Sequence, residues 1–275
     1  MPAEPTLEDI RRFWNENPIY SGESRADPGT REFFEEHEAM TLHEFSGRIP
    51  PIYLRVVRPG TRVLDIGCGI GFWVHQFCRL GARVDACDLA GSAVELTRRR
   101  CRLFGLQADV RLGNAEELPY ADGSFDHVNC QGVIHHTPNT VRCIQEMHRV
   151  LKPNGTACFS VYYNTLYLRN PLWYRMIAVL ICSWVRLEGR GRESMLWATQ
   201  PEELVRLYDG KDNPLGKAYR RRDVDGMIHG WFDHLDSIRQ GLPRRSLPVR
   251  IPDPLHRFLS RRFGLMIVYL CLKSS

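Results

Sequence analysis

Two carboxylates and a run of alternating glycines are the residues here whose types and spacing could do chemistry. In "RVLDIGCGIGFW", Arg62 to Trp73, a short apolar run ends on Asp65 and then turns through Gly67, Gly69 and Gly71. Glycines at the carboxyl end of a strand let a ligand approach the backbone, and the N-terminus of the next helix follows them. A dinucleotide loop would read Gly-x-Gly-x-x-Gly, but the third glycine comes one place early and Phe72 stands where that motif has glycine. A carboxylate beside the turn repels a pyrophosphate and attracts an ammonium. Seventeen residues after Gly71, a second strand-like run ends on Asp88, whose two oxygens can accept both hydroxyls of a ribose. An adenosyl ligand with an amino-acid tail suits both carboxylates.

Periodicity and punctuation supply the elements that must position them. Two helices are expected at Leu7 to Trp14 and Arg31 to Phe45, with Thr6 and Thr30 as caps. From Arg62 the chain alternates: strand "RVLDIG", helix "FWVHQFCRLG", strand "RVDACD", helix "SAVELTRRRCRLFG", strand "DVRLGNA", strand "SFDHVNCQG", helix "NTVRCIQEMHRVLKPNG", strand "TACFSVYY". Short β-rich runs between amphipathic helices predict an α/β fold with a doubly wound, mostly parallel Rossmann-like sheet covered on both faces. Gly81, Gly105 and Gly155 are expected as helix stops. Phe72 and Trp73 are expected to pack at a helix start.

Taken together, "VLDIGCGIGFW", Asp88, "GNAEELPYADGSFDHVNCQGVIHH" and "RVLKPNGTACFSVY" resemble the class I S-adenosylmethionine-dependent methyltransferases over residues 50–163, and the core motifs are also similar to ubiquinone/menaquinone methyltransferases. The resemblance implies S-adenosyl-L-methionine as cofactor. It implies that Gly67, Cys68 and Gly69 cradle the methionine part and Asp65 helps hold its amino group. Asp88, with Leu89 beside it, would take the ribose, Asn114 and Ala115 would edge the adenine, and Gln131 would sit near the sulfonium. Family members often have Asp where Asn114 stands, and an Asn oxygen can still accept a hydrogen bond. Tyr20 would close over the cofactor. The catalytic candidates are His136 and His135 in "GVIHHTPN", because an imidazole of ordinary pKa about 6.5 can take a proton from a hydroxyl, carboxyl or amine. One of the pair is expected only to brace the loop.

The family's sheet usually ends in an antiparallel hairpin, for which "GWFDHLDSIRQGLP" and "FGLMIVYLCLK" can serve. The expected organisation is therefore an N-terminal helical lid (1–49), a cofactor-binding core (50–163), a cap or substrate insertion (164–227) and a C-terminal hairpin (228–275). Trp14 faces the same opening as Tyr20 or packs in the apolar interior.

Composition bounds the function. The chain has 275 residues, 43% hydrophobic and 25% charged, which fits one large domain carrying a cap. The N-terminus lacks the apolar core of a secretory signal. "MIAVLICSWV" and "FGLMIVYLCL" are half the roughly 20 residues that a membrane span needs. Nine cysteines without Cys-x-x-Cys or His/Cys zinc spacing predict no metal and a reducing, cytoplasmic setting. Residues 201–275 hold 14 Lys and Arg against 9 Asp and Glu, so the net charge of +5 is all C-terminal. The expected partner is a small-molecule acceptor, methylated on O or N and partly apolar. Two alternatives stand beside it: a C-methyltransferase of a prenylated quinone or lipid with peripheral membrane contact, and a non-catalytic adenosyl-ligand binder. Without a basic domain bearing base-stacking motifs, no nucleic acid is expected.

Overall fold

The computed structural model describes residues 5–20, 22–164, 201–244 and 250–274. Its centre is β1 (Arg62–Ile66), buried at every position after the first, as a strand covered on both faces must be. β2 (Arg83–Asp88) and β3 (Ala108–Leu112) pair parallel on one side of it. β4 (Phe125–Gln131) and β5 (Leu151–Tyr163) pair parallel on the other. Beyond β5 lie β8 (Met266–Lys273) and then β7 (Phe232–Gln240), both pairings antiparallel, so the order is β3-β2-β1-β4-β5-β8-β7. A two-residue β6 (Ala218–Tyr219) extends beside the end of β5. The sheet is thus the mixed, mostly parallel one expected from the sequence.

Alternate residues of each strand feed two cores. Leu64, Ile66 and Cys87 point to one side, with Ile144 and Met147 of α5 (Thr140–Val150) and Val224 and Ile228 of α7 (Arg221–Ile228). Val63, Val84 and Ala86 point to the other, with Val74 and Phe77 of α3 (Phe72–Arg79) and Val94 of α4 (Gly91–Phe104). Trp73 stacks on Tyr53 with ring centroids 4.6 Å apart, the packing role expected of it. All eight described cysteines are free, and all but Cys78 are buried.

The strand pair at the C-terminus is not a tight hairpin, because α8 (Asp253–Phe263) stands between β7 and β8. The helix expected to run to Gly155 stops at Val150. Pro153 lacks the N–H that an interior turn needs and disfavours helical geometry at Lys152, so the chain enters β5 early. Lys152 to Gly155 bulge out of the β4 pairing, with Asn154 at a φ of 61°. Gly155 is therefore no helix stop. It is required instead by a close approach, since a Cβ there would lie 2.9 Å from Lys152 O.

Thr6 and Thr30 do cap α1 (Leu7–Glu16) and α2 (Arg31–Glu44). α1 docks on the start of α4, where Asn15 Oδ1 accepts the otherwise open Ser92 N–H at 3.1 Å. α2 is anchored by charge. Arg100 of α4 is fully buried, donates to Glu38 Oε2 at 3.2 Å, and lies over the Phe34 and Phe104 rings. His75 Nδ1 faces the same carboxylate at 3.4 Å. Removing one member of a buried pair strands the other charge. Glu38→Ala should therefore cost about 3 kcal/mol. In a chain of this size that lowers Tm by roughly 5–10 °C, which a calorimetric melt would read. An unchanged melt would mean that Arg100 is neutralised by something else.

Candidate active site

The turns after β1 and β2 are tied to each other's strands. Gly67 N–H donates to Cys87 O at 2.7 Å, and Gly69 N–H donates to Asp88 Oδ2 at 2.9 Å. Asp88 Oδ1 accepts from Ala90 N–H at 2.9 Å, so each carboxylate oxygen keeps a lone pair. Burial raises the Asp88 pKa, opposed by the N–H groups of Ala90, Gly69 and Leu89. Gly67 has a φ of +67°, and a Cβ on it would lie 2.2 Å from Val133 Cγ2. Only glycine lets the loop after β4 cross the turn at this distance.

Above these turns opens a cleft of about 760 Å³ including its mouth, within the usual range for a small-molecule site. Gly67, Gly69, Asp88 and Leu89 line it, as do Asn114, Ala115, Gln131 and His136. Asn114 Oδ1 accepts Glu116 N–H at 3.0 Å, a local turn that fixes the amide after β3. Cys68, between two lining glycines, does not itself line the cleft, and its side chain sits in the α3 core. Its thiol is pushed far up by burial, which leaves it inert.

Four candidates, Asp65, Cys68, Tyr20 and His135, are not among the lining residues. Tyr20 does not close over the cleft: its φ of 71° turns the ring inward, against Phe33 and His37 at 5.7 and 5.1 Å. Trp14, Ile10 and Leu7 of α1, with Pro18 and Ile19, form that wall instead. His135 is buried to 1% exposure behind the cleft, with its ring 4.5 Å from Tyr162. Burial and its histidine neighbour hold its pKa well below the ordinary value, so it braces the loop as a neutral ring.

Asp65 is 1% exposed, two residues before Gly67. Asn129 Nδ2 donates to its Oδ1 at 2.7 Å, and Gln131 Nε2 in turn donates to Asn129 Oδ1 and Cys158 O, both at 2.9 Å. This relay fixes both amides and leaves two buried acceptors, Asp65 Oδ2 and Gln131 Oε1, without a donor. Burial raises the Asp65 pKa to about 7, opposed by Asn129 and reinforced by Asp88. Asn129 escaped sequence reasoning. Its signal was a polar residue at a core position of β4, two residues before Gln131 and so on the same face.

His136 comes to the cleft with both ring nitrogens engaged. Nδ1 lies 2.6 Å from Leu215 O, and Nε2 lies 3.2 Å from Asp209 Oδ2, which also accepts from Tyr162 OH at 3.0 Å. A carbonyl accepts only, so Nδ1 carries a proton, and Nε2 faces the Asp209 carboxylate. Neither nitrogen is open to an acceptor in this conformation. Lys217 clamps the same loop, its Nζ donating to Thr137 O and Pro138 O at 2.8 and 2.7 Å. Asp209, at the end of α6 (Pro201–Asp209), and Lys217 lie about 75 residues beyond the loop they hold, with no local pattern to reveal them.

Residues 64–159 match the family model described as "Methyltransferase domain". The ubiquinone biosynthesis O-methyltransferase of Xanthomonas campestris pv. campestris is 32% identical over 183 residues, spanning 66% of this chain and 72% of that protein. The enzyme of the same name from Xanthomonas euvesicatoria pv. vesicatoria is 36% identical over the same span. The chain belongs to the S-adenosylmethionine-dependent methyltransferases. Solved structures share the fold: a SAM-dependent methyltransferase from Methanosarcina mazei superposes with a TM-score of 0.55 at 18% identity, covering 82% of this chain and 98% of that one. The [4+2]-cyclase SpnF gives 0.58 at 15%, covering 99% and 98%. One fold therefore serves different reactions, and function has to be argued from the site.

This methyltransferase keeps Asp65 at a cost. The carboxyl binds protons more tightly folded, at a pKa of about 7, than unfolded, near 3.8, so it subtracts stability as pH rises from about 4 to 7. Asp65→Asn keeps the Asn129 bond without the buried charge. It should be the more stable protein by about 2 kcal/mol at pH 8, with the gap closing toward pH 5. Thermal melts of both proteins across that range check this, and a gap independent of pH would contradict it.

Proposed function

We propose that the protein transfers the methyl group of S-adenosylmethionine to an oxygen of a small, partly apolar acceptor. The observation that carries the cofactor half is the pair of unpartnered buried acceptors, Asp65 Oδ2 and Gln131 Oε1, joined in one relay through Asn129, with Gln131 and Asp88 lining the cleft. An ammonium group supplies the donors they lack, and the Asp88 oxygens remain for ribose hydroxyls. When bound, the cofactor supplies a methyl group already activated on a sulfonium.

The acceptor half rests on the walls. Leu7, Ile10, Trp14, Ile19 and Val133 make the cleft apolar where α1 meets the loop after β4. Trp14 stands edge-on to His136 at 5.3 Å. These side chains exclude water and hold an apolar acceptor by burial. The choice of oxygen follows the Xanthomonas relatives, whose names specify O-methylation.

Because Asp209 and Leu215 hold both nitrogens of His136, its part is alignment, and the acceptor must lose its proton unaided, as a phenol or carboxyl can. Replacing a general base costs 10² to 10⁴-fold. His136→Ala should instead lower kcat by less than about tenfold and leave the pH profile unchanged, measured on an identified acceptor. A hundredfold loss together with a shifted profile would restore the base role. The acceptor itself can be found by incubating cell extract with the protein and deuteromethyl cofactor, then reading product masses. A labelled phenol or hydroxylated aromatic is expected, and label on carbon would favour the C-methyltransferase reading.

Titration with S-adenosylhomocysteine tests the cofactor site. Holding an ammonium requires Asp65 ionised, so affinity should weaken as pH falls below about 7, with up to one proton released on binding. Asp65→Asn should bind at least tenfold more weakly at pH 8 and lose that pH dependence, because a charged hydrogen bond is worth about 1.5–3 kcal/mol. An Asp65→Asn protein that binds like the parent would remove the ammonium from this position.

A further inference from the structure

α8 has one anchored face and one that the protein does not cover. His256 is 1% exposed and holds the helix to the body: its Nε2–H donates to Leu242 O at 2.9 Å, and its Nδ1 accepts from Ser46 Oγ at 2.6 Å. Two residues further is 200° around a helix, on the opposite face. Phe258 stands there, 64% exposed, with Leu255 45% exposed one turn before it. Phe258 and Leu255 thus leave neighbouring apolar side chains in water on the face turned away from the body.

Its surroundings choose the partner. Residues 250–264 carry four arginines against one aspartate. Arg250, Arg261 and Arg262 are exposed, and among the described residues none lies in an ion pair. The single aspartate, Asp253, is already bound by Arg244. Aromatic and aliphatic side chains pointing outward between unpaired arginines are the pattern of a helix that lies in the surface of an anionic bilayer. Position agrees. β7 runs parallel to β5, so Gln240 lies at the carboxyl end of the sheet, where the cleft opens, and α8 returns to that end as Leu265 N–H donates to Gly241 O at 3.3 Å.

We propose that the outward face of α8, centred on Phe258 and Leu255 and ringed by Arg250, Arg261 and Arg262, docks this protein on an anionic lipid surface with its cleft end beside the bilayer. This does not depend on the acceptor assigned above, because vesicle binding is read without turnover.

Co-sedimentation with vesicles of phosphatidylcholine containing about one-third phosphatidylglycerol should capture the protein, and pure phosphatidylcholine vesicles should not. Binding should weaken with added salt. Each arginine lost near the surface should reduce partitioning about fivefold, so Arg261→Glu with Arg262→Glu should reduce it by more than twentyfold. Leu255→Ser with Phe258→Ser should reduce it at least tenfold. Leu112→Ser, at the far edge of the sheet on β3 and 60% exposed, should change nothing. All variants lie on the surface, and unchanged melting temperatures and S-adenosylhomocysteine affinity would show that they fold. Equal binding to both kinds of vesicle, or full binding by the α8 variants, would overturn the proposal. So would a dimer in sedimentation velocity that Phe258→Ser dissolves, because the face would then belong to a second copy of this chain.

Discussion

An ionisable group buried without a full set of partners is the constraint on which the site depends. Asp65 sits at the end of the most buried strand, with one oxygen bonded to Asn129 and the other to no protein donor. Leaving a carboxylate so costs free energy that a fold retains only where a ligand repays it. Neighbouring features hold that oxygen in place. The relay from Cys158 through Gln131 and Asn129 fixes its orientation. Asp88 pins the Gly67 turn through Gly69, which ties the loop after β1 to the end of β2.

The cleft's outer wall is built from parts distant in sequence. α1 is held over it by a cap that Asn15 supplies to α4, and α2 is held by the buried Arg100 and Glu38 pair. The loop after β4 is clamped from the far side by Leu215, Lys217 and Asp209. Each of these contacts satisfies a backbone group or a charge that would otherwise be buried alone. The cleft is therefore shaped by the same bonds that stabilise its surroundings, which is how a loop site acquires a defined geometry.

The charge distribution fits this division of labour. The first 200 residues are balanced, at 23 Lys and Arg against 23 Asp and Glu, and residues 250–264 around α8 carry four arginines against one aspartate.

Most of the fold was legible because it is written in local patterns. Alternating apolar strands, amphipathic helices and glycine turns identify the α/β sheet, and Asp65 and Asp88 are conspicuous as carboxylates ending apolar runs. The lining residues from Gly67 to Gln131 follow from those strand ends, since a parallel sheet presents its carboxyl ends to the ligand. Where local rules failed, a tertiary contact or a proline had decided. Pro153 cut the fifth helix short. Tyr20 and Trp14 stand on one N-terminal segment, yet the Tyr20 ring packs against Phe33 and His37 while Trp14 faces the cleft. His135 and His136 are adjacent and alike in sequence. Burial made one a neutral brace, and Asp209, 73 residues away, took the open nitrogen of the other. Sequence determines which groups can titrate or bond, because that is a property of the side chain. Which atom is left without a partner is decided by packing, because it depends on every neighbour that folding brings near.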